Sequence, residues 1–125
     1  MEDRELTVKQ LTRLLRKYIG KWKSKLFLGM WNVDFNVRDF LTADINSSFH
    51  MVARCSTKWN YFTVQLDFSH VMLASMSDAE IERVVLHELL HVVVNEMRED
   101  GVDHEERVVS HLTMIFAHEE DLYAK

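Results

Sequence analysis

A chain of 125 residues, 47% of them hydrophobic, has material for one core and little room for a second domain, so residues 1–125 are read as a single unit. The lone cysteine, Cys55, excludes an internal disulfide framework, and no apolar run reaches the length of a membrane span. The net charge of −5 is unevenly spread: residues 1–25 carry eight Lys/Arg against three acids, and residues 78–125 carry thirteen acids against four Lys/Arg. The basic stretch reads most simply as a solvated helix face, and nothing else in the chain points to nucleic acid. The opening MEDRELTVKQ is acidic and polar, unlike a secretory leader, so a cytoplasmic protein without a membrane partner is expected.

The first element is a helix opened by a capping box, Thr7 with Gln10. Val8, Leu11, Leu15, Tyr18 and Trp22 recur at helical spacing and form its inward face, and Gly20 is expected to weaken or end it. Three strands follow, each with period-2 alternation. In the first, Trp31, Val33, Phe35 and Val37 alternate with polar residues. In the second, Met51, Ala53 and Cys55 share one face. In the third, Phe62, Val64, Leu66 and Phe68 do. One buried and one wetter face per strand suits a mainly antiparallel sheet. The short connection Lys58–Asn60 makes the last two strands a hairpin. Segments 39–48 and 69–76 read as loops, the latter with a helical turn. A second capping box, Ser77 with Glu80, opens a helix expected to run to about Arg98, with Gly101 just past its end. Asp103 caps a last helix whose apolar stripe is Val108, Val109, Leu112, Ile115 and Phe116. The order helix, three strands, two helices defines an α+β layer.

Chemistry concentrates in the second long helix, where Val84–Val94 contains three polar residues among apolar ones: His87, Glu88 and His91. A helix apolar nearly all round is buried, and buried imidazoles and carboxylates are costly unless paired or bound to a metal. The spacing of four puts both histidines on one face, able to meet one ion, while Glu88 sits beside it, within reach of water. Catalytic zinc takes three protein ligands and keeps one position open. At about 100° per residue Glu105 falls near the centre of the last helix's apolar stripe, which favours it as third ligand. Glu106 lies off that centre and three residues after the cap, and is the alternative. His104 and His111 remain further candidates. Cys55 and the tryptophans Trp22, Trp31 and Trp59 read as packing residues.

The stretch HELLH, followed after a short turn by HEERVVSHL, resembles the gluzincin branch of the zincin metallopeptidases, in particular the minimal zincin-like proteins of phages and prophages. The resemblance is tight over residues 77–112 and rests on element order elsewhere. It implies a zinc-dependent hydrolase, expected to be a peptidase, with a glutamate on the following helix as third ligand and Glu88 as general base. A phage-encoded chain would work in the host cytoplasm on a peptide or protein substrate. The resemblance also implies a sheet edge that pairs with extended substrate. Tyr61–Phe68 is the expected edge strand, with Tyr61, Thr63 and Gln65 at the substrate. His104, His111, His118 and Tyr123 are candidates to stabilise an oxyanion. Two other readings stay open: a YbeY-like metalloribonuclease, which Gly101–His104 resembles in part, and a non-catalytic zincin-fold binding module.

Overall fold

The computed structural model describes residues 4–39, 41–42, 50–58, 61–94 and 105–122. Helix α1 spans Val8–Lys25 and starts as its capping box requires. The Thr7 hydroxyl accepts from the Gln10 amide at 3.1 Å, and the Gln10 side chain accepts from the Thr7 amide at 2.9 Å. Leu11, Leu15, Tyr18, Ile19 and Trp22 are buried, whereas Val8, expected on the same face, is exposed in the first turn. Gly20 does not end the helix. Its position is open, with nothing within 4 Å of a built Cβ. Burial of Ile19 and Trp22 on either side outweighs a glycine cost of about 1 kcal/mol. The helix ends in a Schellman motif: the Phe27 amide donates to Ser24 O at 3.1 Å and the Leu28 amide to Lys23 O at 2.9 Å, with Phe27 at φ 58° and Leu28 buried.

Strands β1 (Asn32–Arg38), β2 (Leu41–Thr42), β3 (His50–Met51), β4 (Ala53–Lys58) and β5 (Thr63–Ser69) follow. β2 pairs with β3, and the main sheet has the order β1-β5-β4. The hairpin is as expected, β4 running antiparallel to β5 from Ala53↔Phe68 to Lys58↔Thr63. β1 runs parallel to β5, from Asn32↔Thr63 to Arg38↔Ser69, so the sheet is mixed rather than mainly antiparallel. Alternation reports which face is buried, not which strand lies alongside or in which direction.

The same register corrects the expected substrate edge. β5 is central: Thr63 has Asn32 on one side and Lys58 on the other, and Gln65 has Asp34 and Ser56. Tyr61 precedes the strand. The physical reason is burial, since Val64, Leu66 and Phe68 are buried on one face and Asp67 and Ser69 on the other. Asp67 is covered by its cross-strand neighbour Arg54 at 3.1 Å and by Arg38 at 3.3 Å. Among the described strands the edges are β1 and β4, and β4 is the one packed on the site-bearing helix.

Ser69 caps the short helix α2 (His70–Leu73). Helix α3 covers Asp78–Val93, opened by the Ser77–Glu80 capping box, so it ends short of the expected Arg98. Gly101, Asp103, His104, Tyr123 and Trp59 lie outside the described residues. Helix α4 covers Glu105–Glu119 and ends in a second Schellman motif, Asp121 at φ 57° and Leu122 donating to Ala117 O at 2.8 Å. Its buried line is Val109, Thr113 and Ala117, spaced by four. Of the expected stripe, Val108, Leu112 and Phe116 are half-buried and Ile115 is exposed. α1, α3 and α4 close one core with the inward side chains of the sheet, Trp22 standing edge-on to Phe116 at 6.1 Å. Among the described residues no helix is long and apolar enough to cross a membrane.

Candidate metal centre

The second half of α3 is anchored by Val85, Leu86, Leu89 and Leu90, all buried, which fixes the direction of the side chains between them. His87 is half-buried, while Glu88 and His91 are buried. The three offer one ligand atom each, and these atoms lie within 4.8 Å of one another. The imidazole rings stand 5.1 Å apart at 75°, as two residues one turn apart on a helix allow.

α4 begins against this turn and brings both of its first residues to the histidines. Glu106 Oε1 lies 2.8 Å from His87 Nε2, and its Oε2 lies 3.1 Å from His91 Nε2. Glu105 Oε2 lies 2.5 Å from the other ring nitrogen of His91, Nδ1. The side chain of Glu105 is 12% exposed and that of Glu106 is 69% exposed. Glu105 therefore does lie on the buried line of α4, one turn before Val109, and there it meets His91 at Nδ1. Glu106, at the open rim, is the carboxylate shared by both histidines. His111 and His118 are exposed on α4. Tyr61, Thr63 and Gln65 are divided between the hairpin end and the central strand.

Electrostatics favours neutral imidazole at His87. Burial holds its pKa below the ordinary 6.5, Glu106 opposes the shift, and the neighbouring His91 adds to it. A neutral ring keeps one lone pair for a ligand. At His91 the two carboxylates set a sharper constraint. If Nδ1–H donates to Glu105, Nε2 turns a lone pair toward a carboxylate oxygen, which is repulsive unless a proton or a cation lies between them. Two Nε2 atoms and one carboxylate converging in this way form a donor set of the composition zinc accepts. Oxygen-preferring magnesium and calcium fit it poorly.

The helical wheel places Glu105 on the buried line, where it is found, but does not show that Glu106 reaches the Nε2 atoms of both histidines. The polar and small residues Thr113 and Ala117 extend that line from Glu105 through Val109. Comparison of the chain with protein-family models, with curated proteins and with solved structures gives no match.

Proposed function

We propose that the chain is a zinc-dependent hydrolase of amide bonds, a peptidase of minimal gluzincin type, with His87, His91 and Glu106 as ligands. The supporting observation is the convergence of both Nε2 atoms on the one carboxylate of Glu106, with Glu88 in the same cluster. A zinc ion held there would acidify a water and polarise the scissile carbonyl.

The chain's own groups then divide the work. Glu88 takes the proton of the attacking water as general base and returns it to the leaving amine. Glu105, hydrogen-bonded to Nδ1, fixes the tautomer and tilt of the His91 ring so that Nε2 is turned toward Glu106, where it would be available to zinc. Glu106 supplies a negative ligand from a different helix, which ties closure of the site to docking of α4 on α3. The three carboxylates Glu88, Glu105 and Glu106 also bear on substrate: they repel a phosphodiester and tolerate a neutral amide, which favours peptide over RNA.

The test is metal analysis joined to hydrolysis of an unstructured peptide library. Chelator-stripped protein should take up about one zinc per chain and, with it, cleave peptides. Failure to bind zinc would end this reading. Zinc bound by four protein ligands, with no cleavage, would instead assign the metal a structural role in a binding module.

A further inference from the structure

We propose that the tip formed by residues 26–31 and 61–62 is a docking surface for an anionic lipid bilayer. Phe27, Met30 and Tyr61 would enter the headgroup layer, and Lys23 and Lys58 would flank them. This is peripheral contact by loops and needs no spanning helix.

The two segments form one patch. Asn32 N–H donates to Phe62 O at 2.8 Å, and Trp31 and Phe62 stack edge-to-face at 5.3 Å. Around that stack Phe27 is 91% exposed, Met30 72%, Tyr61 72% and Phe62 45%. Four large apolar side chains at one end of a small domain exceed the scattered exposure of an ordinary surface.

Phe27 adds a second, independent observation. It occupies the C′ position of the Schellman motif that ends α1, with φ 58°, where glycine is the favoured residue. Phe62 also has positive φ, 52°. A bulky side chain in the left-handed region is an outlier that costs stability. Leu28 already supplies the buried apolar contact the motif uses, so the exposed ring of Phe27 gives the fold nothing in return.

Charge chooses the partner. Of the lysines in the last turns of α1, Lys21 and Lys25 are bridged to Glu82 and Glu120, which leaves Lys23 beside the tip. Lys23 and Lys58 have no carboxylate partner among the described residues, whereas Lys25 is bridged to Glu120 at 3.1 Å. Exposed apolar and aromatic groups beside lysines without a carboxylate partner among the described residues match the chemistry of an anionic lipid interface. Single-stranded nucleic acid would also meet the charge, but it stacks on aromatic faces. Phe27 and Tyr61 offer such faces, Met30 offers none and the Trp31 ring is engaged with Phe62, so the aliphatic member of the patch is what favours lipid.

The test is flotation of the full chain with two kinds of vesicle, phosphatidylcholine alone and phosphatidylcholine with about one third phosphatidylglycerol. Wild type should float only with the anionic vesicles. Phe27→Gly should lower the bound fraction about ten-fold while Tm holds or rises and zinc uptake is unchanged. Met30→Ser should also lower binding, and Lys23→Glu with Lys58→Glu should lower it about ten-fold more. Phe27→Trp should show blue-shifted emission with anionic vesicles only. The proposal is overturned by absence of flotation, or by flotation that Phe27→Gly leaves intact. It is equally overturned if Phe27→Gly lowers Tm, because Phe27 would then belong to the fold. Phe27-dependent binding of a single-stranded oligonucleotide, or Phe27-dependent self-association, without flotation would give the tip to another partner.

Discussion

Glu82 and Glu88 are both buried on α3, and the groups that meet them differ in kind. Glu82 accepts from the Trp22 indole at 2.7 Å and from the Lys21 ammonium at 2.5 Å, and Lys21 also lies 3.6 Å from Glu120. Burial alone would lower the Lys21 pKa, but the hydrogen bond and charge of Glu82, with Glu120 behind it, raise it above 10.5. Here a buried carboxylate is matched by a fixed cation and a neutral donor. Glu88 shares its cluster with two imidazoles, whose further contacts are the carboxylates of Glu105 and Glu106. In that region carboxylate faces imidazole on α4 as well as on α3, and a divalent cation bound there would complete the balance. A buried glutamate is thus no functional signal by itself; the sign of the charges around it is.

The sharpest way to break this comparison is to remove the carboxylate charge at each site in turn. Glu88→Gln should lower any peptide hydrolysis by about two to four orders of magnitude while zinc content and Tm stay near wild type. Glu82→Gln should leave the rate near wild type. Loss of zinc in Glu88→Gln would make Glu88 a structural group. A comparable loss of rate in Glu82→Gln would erase the distinction between the two regions.

A second contrast lies within α4. Glu106→Ala removes the carboxylate common to both Nε2 atoms and should weaken zinc binding more than about 100-fold. Glu105→Ala removes the partner of His91 Nδ1 but no contact to an Nε2 atom, and should weaken it about 10- to 100-fold. Competition with a chromogenic chelator reads both. The reverse order would return the ligand role to Glu105, as the helical wheel favours.

That reversal shows where sequence was informative. Both capping boxes, the β4–β5 hairpin and the His87–His91 pairing rest on local spacing, and spacing of three or four residues maps directly onto one turn of helix. The parallel partner of β1 depends on contacts across some thirty residues, which alternation does not encode. On α4 the wheel puts Val109 and Glu105 on the buried side, where they are, but its weighting of apolar types also puts Ile115 there and passes over Thr113 and Ala117. Thr113 and Ala117 are buried, while Ile115 stays exposed. Glu105 and Glu106 were both legible as candidates, but which nitrogen of His91 each carboxylate meets is seen only in the structure.

On the structural side of the comparison, Glu82→Ala strips the buried Trp22 indole of its acceptor and leaves Lys21, about one third exposed, to rehydrate. The expected cost is about 2 kcal/mol, discounted for that exposure, with zinc stoichiometry unchanged in the folded protein. Denaturant melts with and without zinc measure both. A cost near zero would mean that the Trp22 contact is not formed in solution.

The smallest effect belongs to a third glutamate of α3. Glu80 lies at the exposed N-terminus, where its carboxylate accepts from the Ser77 amide at 3.0 Å, and hydrogen bonds from the Ser77 backbone and side chain hold its pKa below 4.5. The folded state therefore favours the ionised form. Its contribution is complete above the unfolded carboxyl pKa and is lost as pH falls through the lower, folded value. Glu80→Gln retains an acceptor but not the charge that the helix N-terminus favours. Wild type should exceed Glu80→Gln by about 0.5 kcal/mol near neutral pH, and the gap should close as pH falls below 4.5. Thermal melts of the two proteins across that range, both free of zinc, isolate this carboxylate from the metal cluster. A gap that persists unchanged at acid pH would show that shape rather than charge sets the cap, and would remove Glu80 from the set of glutamates whose role on α3 is fixed by the charge beside them.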